Sequence, residues 1–383
     1  MKKLFYEDSH KTTFSARVTG CREAEKGFLI TLDATAFYPE GGGQACDLGA
    51  LGCARVLDVQ EKEGEIFHLC DKALPVGLLV EGRIDWKRRF DLMQQHTGEH
   101  ILSGIIHDRY GYANSGFHIG AEVLEVDFDG PIPAEDLPEL EWAVNKAIWE
   151  NVPVKCYVPS PEELPAVPYR TKRALPWPVR IVEVKNYDLC ACCGIHTKHT
   201  GEVGLVKLLS CVKFHQGVRI EMVCGSRALK LMSAIYDQNR QVSAAFSARP
   251  LETGEAARHM NEVLSQEKYR TVATQKKYFS LLAEKFRNTG LAVCFEEDLA
   301  PAGVRELSST IAEVCGGVAA VFSGQDGTGY SLCLAGEATQ VKAIGTALSA
   351  NLSARGGGKP GFYQGNAQAN KAEILSFFEN YLG

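Results

Sequence analysis

The chain has 383 residues, more than twice the ~150 residues of a typical domain, so two or more separately cored domains are expected. Its 45% hydrophobic and 23% charged residues form a globular composition, which excludes an extended disordered chain and a coiled-coil rod. The formal net charge of −6, from 41 basic and 47 acidic residues, argues on its own against a nucleic-acid binder.

From Phe14 to Asp85, short alternating segments such as Ser15–Gly20, Gly27–Leu32 and Leu78–Ile84 are broken by Gly and Pro. They predict a small N-terminal antiparallel β-barrel over residues 1–85. At Trp86 the period changes. Phe90, Met93, Ile101, Ile105 and Ile106 recur at helical spacing, and Gly111 ends the helix. A strand over Glu122–Phe128, a helix from Ala134 to Asn151, a proline-rich stretch and a strand over Val179–Val184 complete an α+β domain at residues 86–225. Ser226 to Arg287 reads as two long helices broken between Ala248 and Gly254, a helical segment at 226–288. Residues 289–383 alternate strands (Leu291–Phe295, Val318–Phe322, Ser331–Leu334) with helices, as in a small α/β domain. The fold class of the whole is α+β. No apolar run reaches the ~20 residues of a membrane span, so no membrane association is expected. Thirteen scattered cysteines without a signal-peptide core indicate a reducing, cytoplasmic location.

The densest chemistry is His96-Thr-Gly-Glu-His100, which sets two imidazoles one turn apart on a single helical face. A second cluster, Cys190-Ala-Cys-Cys-Gly-Ile-His196-Thr-Lys-His199, is rich in zinc ligands. Two helical histidines with a Cys and a His from this loop complete a tetrahedral zinc site, and by spacing Cys190, Cys192 and Cys193 all qualify. No second CxxC occurs, which disfavours a four-cysteine ribbon. A mixed, His-rich set favours a catalytic zinc over a structural one. Glu99, beside His100, is a candidate general base; the alternative is a glutamate facing solvent.

Several stretches together resemble the alanyl-tRNA editing proteins of the AlaX family. Phe37-Tyr-Pro-Glu-Gly-Gly-Gly-Gln-Ala-Cys-Asp47 resembles the family's FYPxGGGQxxD, and His96–His100 its HxxxH. Cys192-Cys-Gly-Ile-His196 with Thr200-Gly-Glu-Val-Gly204 resembles its CxGxH and TGExG. Arg355-Gly-Gly-Gly-Lys-Pro360 resembles the GGGxP signature of the DHH-associated C-terminal domain found in the long members. The resemblance implies a free-standing hydrolase that deacylates mischarged Ser-tRNA(Ala) and Gly-tRNA(Ala), with zinc held by His96, His100, Cys192 and His196. The departure is Glu99, where the synthetase has the threonine that discriminates the amino acid. Editing exists because a hydrophobic pocket rejects an isostere with one added hydroxyl by only ~100-fold.

In that light Gly41, Gly42 and Gly43 let the backbone approach the terminal adenosine or a phosphate, or form a tight turn between strands. Gln44 is a polar contact to substrate. The partner is tRNA. Ser226 to Arg287 carries eleven Lys or Arg against six Asp or Glu, and Lys276 and Lys277 lie in its most basic run, where they can neutralise phosphates. Arg355 and Lys359 flank a glycine run that can cradle phosphate. The helical or C-terminal segment is also a candidate for homodimer formation. Two other functions compete. One is editing of threonyl-type tRNA, hinted at by Asp188-Leu-Cys190. The other is a non-catalytic, zinc-stabilised RNA-binding protein.

Overall fold

The computed structural model describes residues 1–171 and 175–382, which divide into two compact units, Met1–Gln241 and Val242–Gly383. The first unit opens with β1 (Lys2–Lys3), α1 (Leu4–Glu7), β2 (Thr13–Ala24), β3 (Gly27–Leu32), β4 (Ala34–Thr35), β5 (Gly49–Leu51), β6 (Ala54–Lys62), β7 (Glu65–Cys70) and β8 (Leu79–Ile84). β1 and β4 pair with each other in parallel. The other six strands form an antiparallel ring in the order β2-β3-β7-β6-β5-β8, and β8 pairs back onto β2. Alternation drives it: along β8, Val80, Gly82 and Ile84 turn inward while their neighbours face water. The ring closes on Phe14, Ile30, Phe37, Val59 and Ile66.

Next come α2 (Trp86–Tyr110), β9 (Asn114–Ile119), β10 (Leu124–Phe128), α3 (Leu137–Trp149), β11 (Val154–Tyr157), β12 (Ile181–Val184), β13 (Asp188–Ala191), β14 (Val206–Phe214), β15 (Gly217–Cys224) and α4 (Gly225–Phe246). The helix α2 spans the predicted residues because both ends are coded. The Asp85 carboxylate accepts from the Arg88 amide at 3.1 Å, and Gly111 takes the left-handed conformation at φ 76°. Two antiparallel sheets, β14-β15-β10-β9 and β11-β12-β13, complete the unit. From α2, Met93 enters the ring core, while Leu92, Ile101, Leu102 and Ile106 join a second core with β10, α3, β14 and β15. The sequence reading omits β9. Its Asn-Ser-Gly start has weak strand propensity, and the strand exists through pairing with β10. The predicted helix after Pro133 begins instead as a 3₁₀ turn at Ala134–Asp136 before α3.

In the second unit, α5 (Thr253–Ala283), β16 (Leu291–Glu296), α6 (Pro301–Cys315), β17 (Val318–Gln325), β18 (Gly329–Ala335), α7 (Ala338–Asn351), β19 (Arg355–Gly357), β20 (Phe362–Ala367) and α8 (Lys371–Leu382) follow. One sheet runs β16-β17-β18-β20-β19, parallel only between β16 and β17. Alternate residues of β17 face two cores: Ala319 and Val321 pack with α6 and the end of α5, while Ala320 and Phe322 pack with α7 and α8. All thirteen cysteines are free thiols. Among the described residues no helix is long and apolar enough to cross a membrane.

Candidate metal centre

The helix α2 is unusual in what it buries. Arg89, Gln95, His96, Thr97, Glu99, His100 and Ser103 are all within the protein, so each needs a partner. At its N-terminal end the Arg89 guanidinium pairs with both oxygens of Asp47 and donates to the carbonyls of Ser9 and Ala36 at 2.8 and 2.6 Å. Asp47 also accepts from the Tyr38 amide at 2.6 Å. The last residue of the glycine-rich motif therefore fastens that segment to the helix.

About two and three turns further on, His96 and His100 meet the loop after β13. A nitrogen or sulfur atom from each of His96, His100, Cys192 and His196 lies within 4.8 Å of all the others. Sγ of Cys192 is 3.4 Å from Nε2 of His96. The outward nitrogens are held. His96 Nδ1 donates to Gln44 Oε1 at 2.8 Å and His100 Nδ1 to Asp188 Oδ2 at 2.8 Å, while His196 Nδ1 lies 3.3 Å from Thr97 Oγ1. Because Gln44 Oε1 and a carboxylate only accept, His96 and His100 each carry a proton on Nδ1, and Nε2 is the nitrogen turned inward. Nε2 of His196 is buried without any hydrogen-bond partner among the described residues. Three imidazoles with fixed outer nitrogens around a thiol fit a zinc ion in ligand type and in outer support.

The electrostatics agree. Burial opposes a thiolate at Cys192, but the imidazoles of His96, His100 and His196 outweigh it and hold the thiol well below its ordinary range. Burial, reinforced by His96 and His100, keeps His196 well below the usual imidazole range. His100 lies well above it despite burial, because Glu99 and Asp188 favour its charged form. A metal taking His100 as ligand therefore displaces a proton.

The loop is shaped for this approach. Arg180 Nη1 donates to the carbonyls of Cys192 and Gly194 at 2.9 and 2.7 Å, and the Tyr6 hydroxyl donates to that of Cys193 at 2.9 Å. A Cβ at Gly194 would stand 2.1 Å from Cε1 of His96. Of the cysteines that spacing leaves open, Cys192 joins the four-membered cluster. Cys190 lies near Asp188 and His100, and Cys193 is exposed.

The remaining sequence candidates divide. Gly41 and Gln44 exchange both backbone hydrogen bonds at 3.0 Å, with Gly42 and Gly43 at φ 56° and 80°. This is the tight two-residue turn, which requires φ > 0 at both centres. A Cβ on Gly43 would stand 2.6 Å from the Phe117 ring, which itself covers His96 at 4.9 Å. Gln44 is spent on orienting His96. Glu99 does not face solvent: it is 4% exposed, accepts at Oε1 from Ser103 Oγ and Asn114 Nδ2, and places Oε2 3.8 Å from His100 Nε2. Lys276, Lys277, Arg355 and Lys359 are exposed and belong to the second unit, where Lys276 pairs with Glu306 at 3.8 Å. Arg355 lies on β19, where Gly356 permits close pairing with β20. Sequence reasoning missed Arg89, Thr97, Asn114 and the role of Asp188. Only Asp188 had a signal, in the Asp188-Leu-Cys190 run.

Comparison with known proteins follows the same lines. The family model described as the second additional domain of threonyl and alanyl tRNA synthetases matches residues 179–221, and one described as class II (A) tRNA synthetases matches residues 4–88. An alanine–tRNA ligase of Ignicoccus hospitalis is 35% identical over 262 residues, covering 65% of this chain and 29% of the ligase. The alanyl-tRNA editing protein Aarsd1 of Danio rerio is 27% identical over 93% of this chain and 89% of its own length. The alanyl-tRNA editing protein AlaX-L of Pyrococcus horikoshii is 32% identical over 274 residues, covering 69% of this chain and 67% of its own. With a relative of that identity and coverage, and with the motif residues gathered at one centre, the chain belongs to the AlaX-type alanyl-tRNA editing proteins.

Proposed function

We propose that the chain is a trans-acting deacylase that hydrolyses the ester joining a wrong amino acid to tRNA(Ala), Ser-tRNA(Ala) first and Gly-tRNA(Ala) second. The observation that carries the reading is the inward convergence of His96, His100, Cys192 and His196, with their outer nitrogens already fixed. Relatives named for alanyl-tRNA editing, matched over most of their length, supply the substrate class.

In this reading His96, His100, Cys192 and His196 hold zinc. Once bound, zinc supplies Lewis acidity, polarising the ester carbonyl or a water. The rest falls to the chain's own groups. Gln44, Asp188 and Thr97 set the planes of the three imidazoles, Phe117 screens His96 from water, and Glu99 presents a carboxylate edge beside His100. The exposed Lys276, Lys277, Arg355 and Lys359 contribute non-specific phosphate attraction, which weakens with salt.

A deacylation assay on Ser-, Gly- and Ala-tRNA(Ala) tests it. Release of serine, and more slowly of glycine, with correctly charged Ala-tRNA(Ala) spared is the expected result. Inertness toward both mischarged substrates, at one zinc per chain, would overturn the reading.

A further inference from the structure

Two buried amide atoms beside the cluster have no hydrogen-bond partner among the described residues: the donor Gln44 Nε2 and the acceptor Asn114 Oδ1. The residues are 1% and 8% exposed, so an unmet polar atom on either costs about 1–3 kcal/mol. The orientation of the Asn114 amide is fixed by its neighbours. Its Nδ2 donates to Glu99 Oε1 and, at 3.2 Å, to Ser103 Oγ. A carboxylate accepts only, so the nitrogen must face it and Oδ1 must face away.

The backbone aims this side chain. Asn114 pairs with Phe128 while Gly116 pairs with Asp127, leaving Ser115 as the extra residue of a β-bulge. In a regular strand Asn114 would share the face of Gly116 and His118. The bulge turns it to the side of Phe117 and Ile119, and Phe117 lies over His96. Bulges next to active sites commonly re-aim a side chain in this way.

Glu99 connects the amide to the centre, since its Oε2 is 3.8 Å from His100 Nε2. An unpartnered amide oxygen and the Oε2 edge of a carboxylate thus belong to two residues joined by one hydrogen bond beside the cluster. Such an acceptor pair favours a cationic donor over a neutral one, because charge-assisted hydrogen bonds are about twice as strong. An aminoacyl ester carries one cationic donor, the α-ammonium. Building on the deacylase reading, we infer that Asn114 Oδ1 and Glu99 together receive the α-ammonium of the aminoacyl group, which makes Asn114 a substrate-binding residue. The serine hydroxyl is a poorer match to a pair that includes a carboxylate, and glycine lacks it.

The test uses a stable mimic, serine joined by an amide to 3′-amino-3′-deoxyadenosine, beside the same compound without its α-amino group. Calorimetry on the zinc-loaded protein should show the amino compound bound at least ~10-fold more tightly by wild type, and Asn114→Leu should cut that preference to about 2-fold while leaving the deamino affinity nearly unchanged. Asn114→Ala repeats the measurement should the leucine variant not fold, with zinc content and thermal melting as controls. No preference in wild type, an equal loss for both compounds, or an unchanged preference in a folded variant would overturn the inference. So would an effect confined to the difference between the seryl mimic and its glycyl counterpart, which assigns Asn114 to the hydroxyl. Because the readout is binding, a protein that shows the preference yet leaves Ser-tRNA(Ala) intact overturns the deacylase reading and leaves the ammonium site standing.

Discussion

Asp188 holds two partners at once. Its Oδ2 accepts from His100 Nδ1 at 2.8 Å, and its Oδ1 accepts from Arg170 at 2.7 Å. The guanidinium keeps the carboxylate from swinging away, and the carboxylate keeps the imidazole plane aligned. Asp188→Asn preserves the shape but removes the charge and leaves Arg170 without its counter-ion. Outer partners of metal-bound histidines typically carry ~10–100-fold in affinity. Competition for zinc against a chromogenic chelator should therefore show a loss of that size, with the fold intact by circular dichroism. An affinity within about 2-fold of wild type would remove Asp188 from the metal's support.

At the scale of elements, the close approach of β13 to α2 makes the Asp188 contact possible. A Cβ at Gly104 would stand 2.0 Å from the Tyr187 carbonyl oxygen and 2.9 Å from Cβ of Asp188. Gly104→Ala must push the strand outward and with it the carboxylate. Overpacking of this kind costs about 1–3 kcal/mol. Urea unfolding should show that loss, and zinc affinity should fall in the same variant. A stability loss with unchanged zinc affinity would mean that the strand relaxes without moving Asp188. The same contrast explains what could be read from the sequence. His96 and His100 were legible because helical spacing alone puts them on one face, and α2 was legible because the apolar period changes at Trp86 and Gly111 ends it. Asp188 acts through the approach of a strand distant in sequence, and Asn114 through a bulge. Neither has a periodic signature. The glycine run was legible as a turn, but that Gln44 serves His96 depends on where the turn docks.

For the whole molecule, the relevant fact is that each compact unit has its own apolar interior. The four candidate ligands all belong to the first. Calorimetry should resolve two transitions, and removal of zinc by a chelator should lower one and leave the other in place, since a ligand stabilises only what it binds. A shift of both together would show that the units unfold as one. Within the first unit the helix α2 is shared, with Met93 in the ring core and Leu102 in the other, and Arg89 bolted to Asp47. A recombination joint between β8 and α2 would strip a wall from both cores and leave Asp47 as a buried charge without its counter-ion, a defect worth about 3–5 kcal/mol. A break at that joint therefore disables ring and candidate metal layer together, whereas the second unit keeps apolar cores of its own.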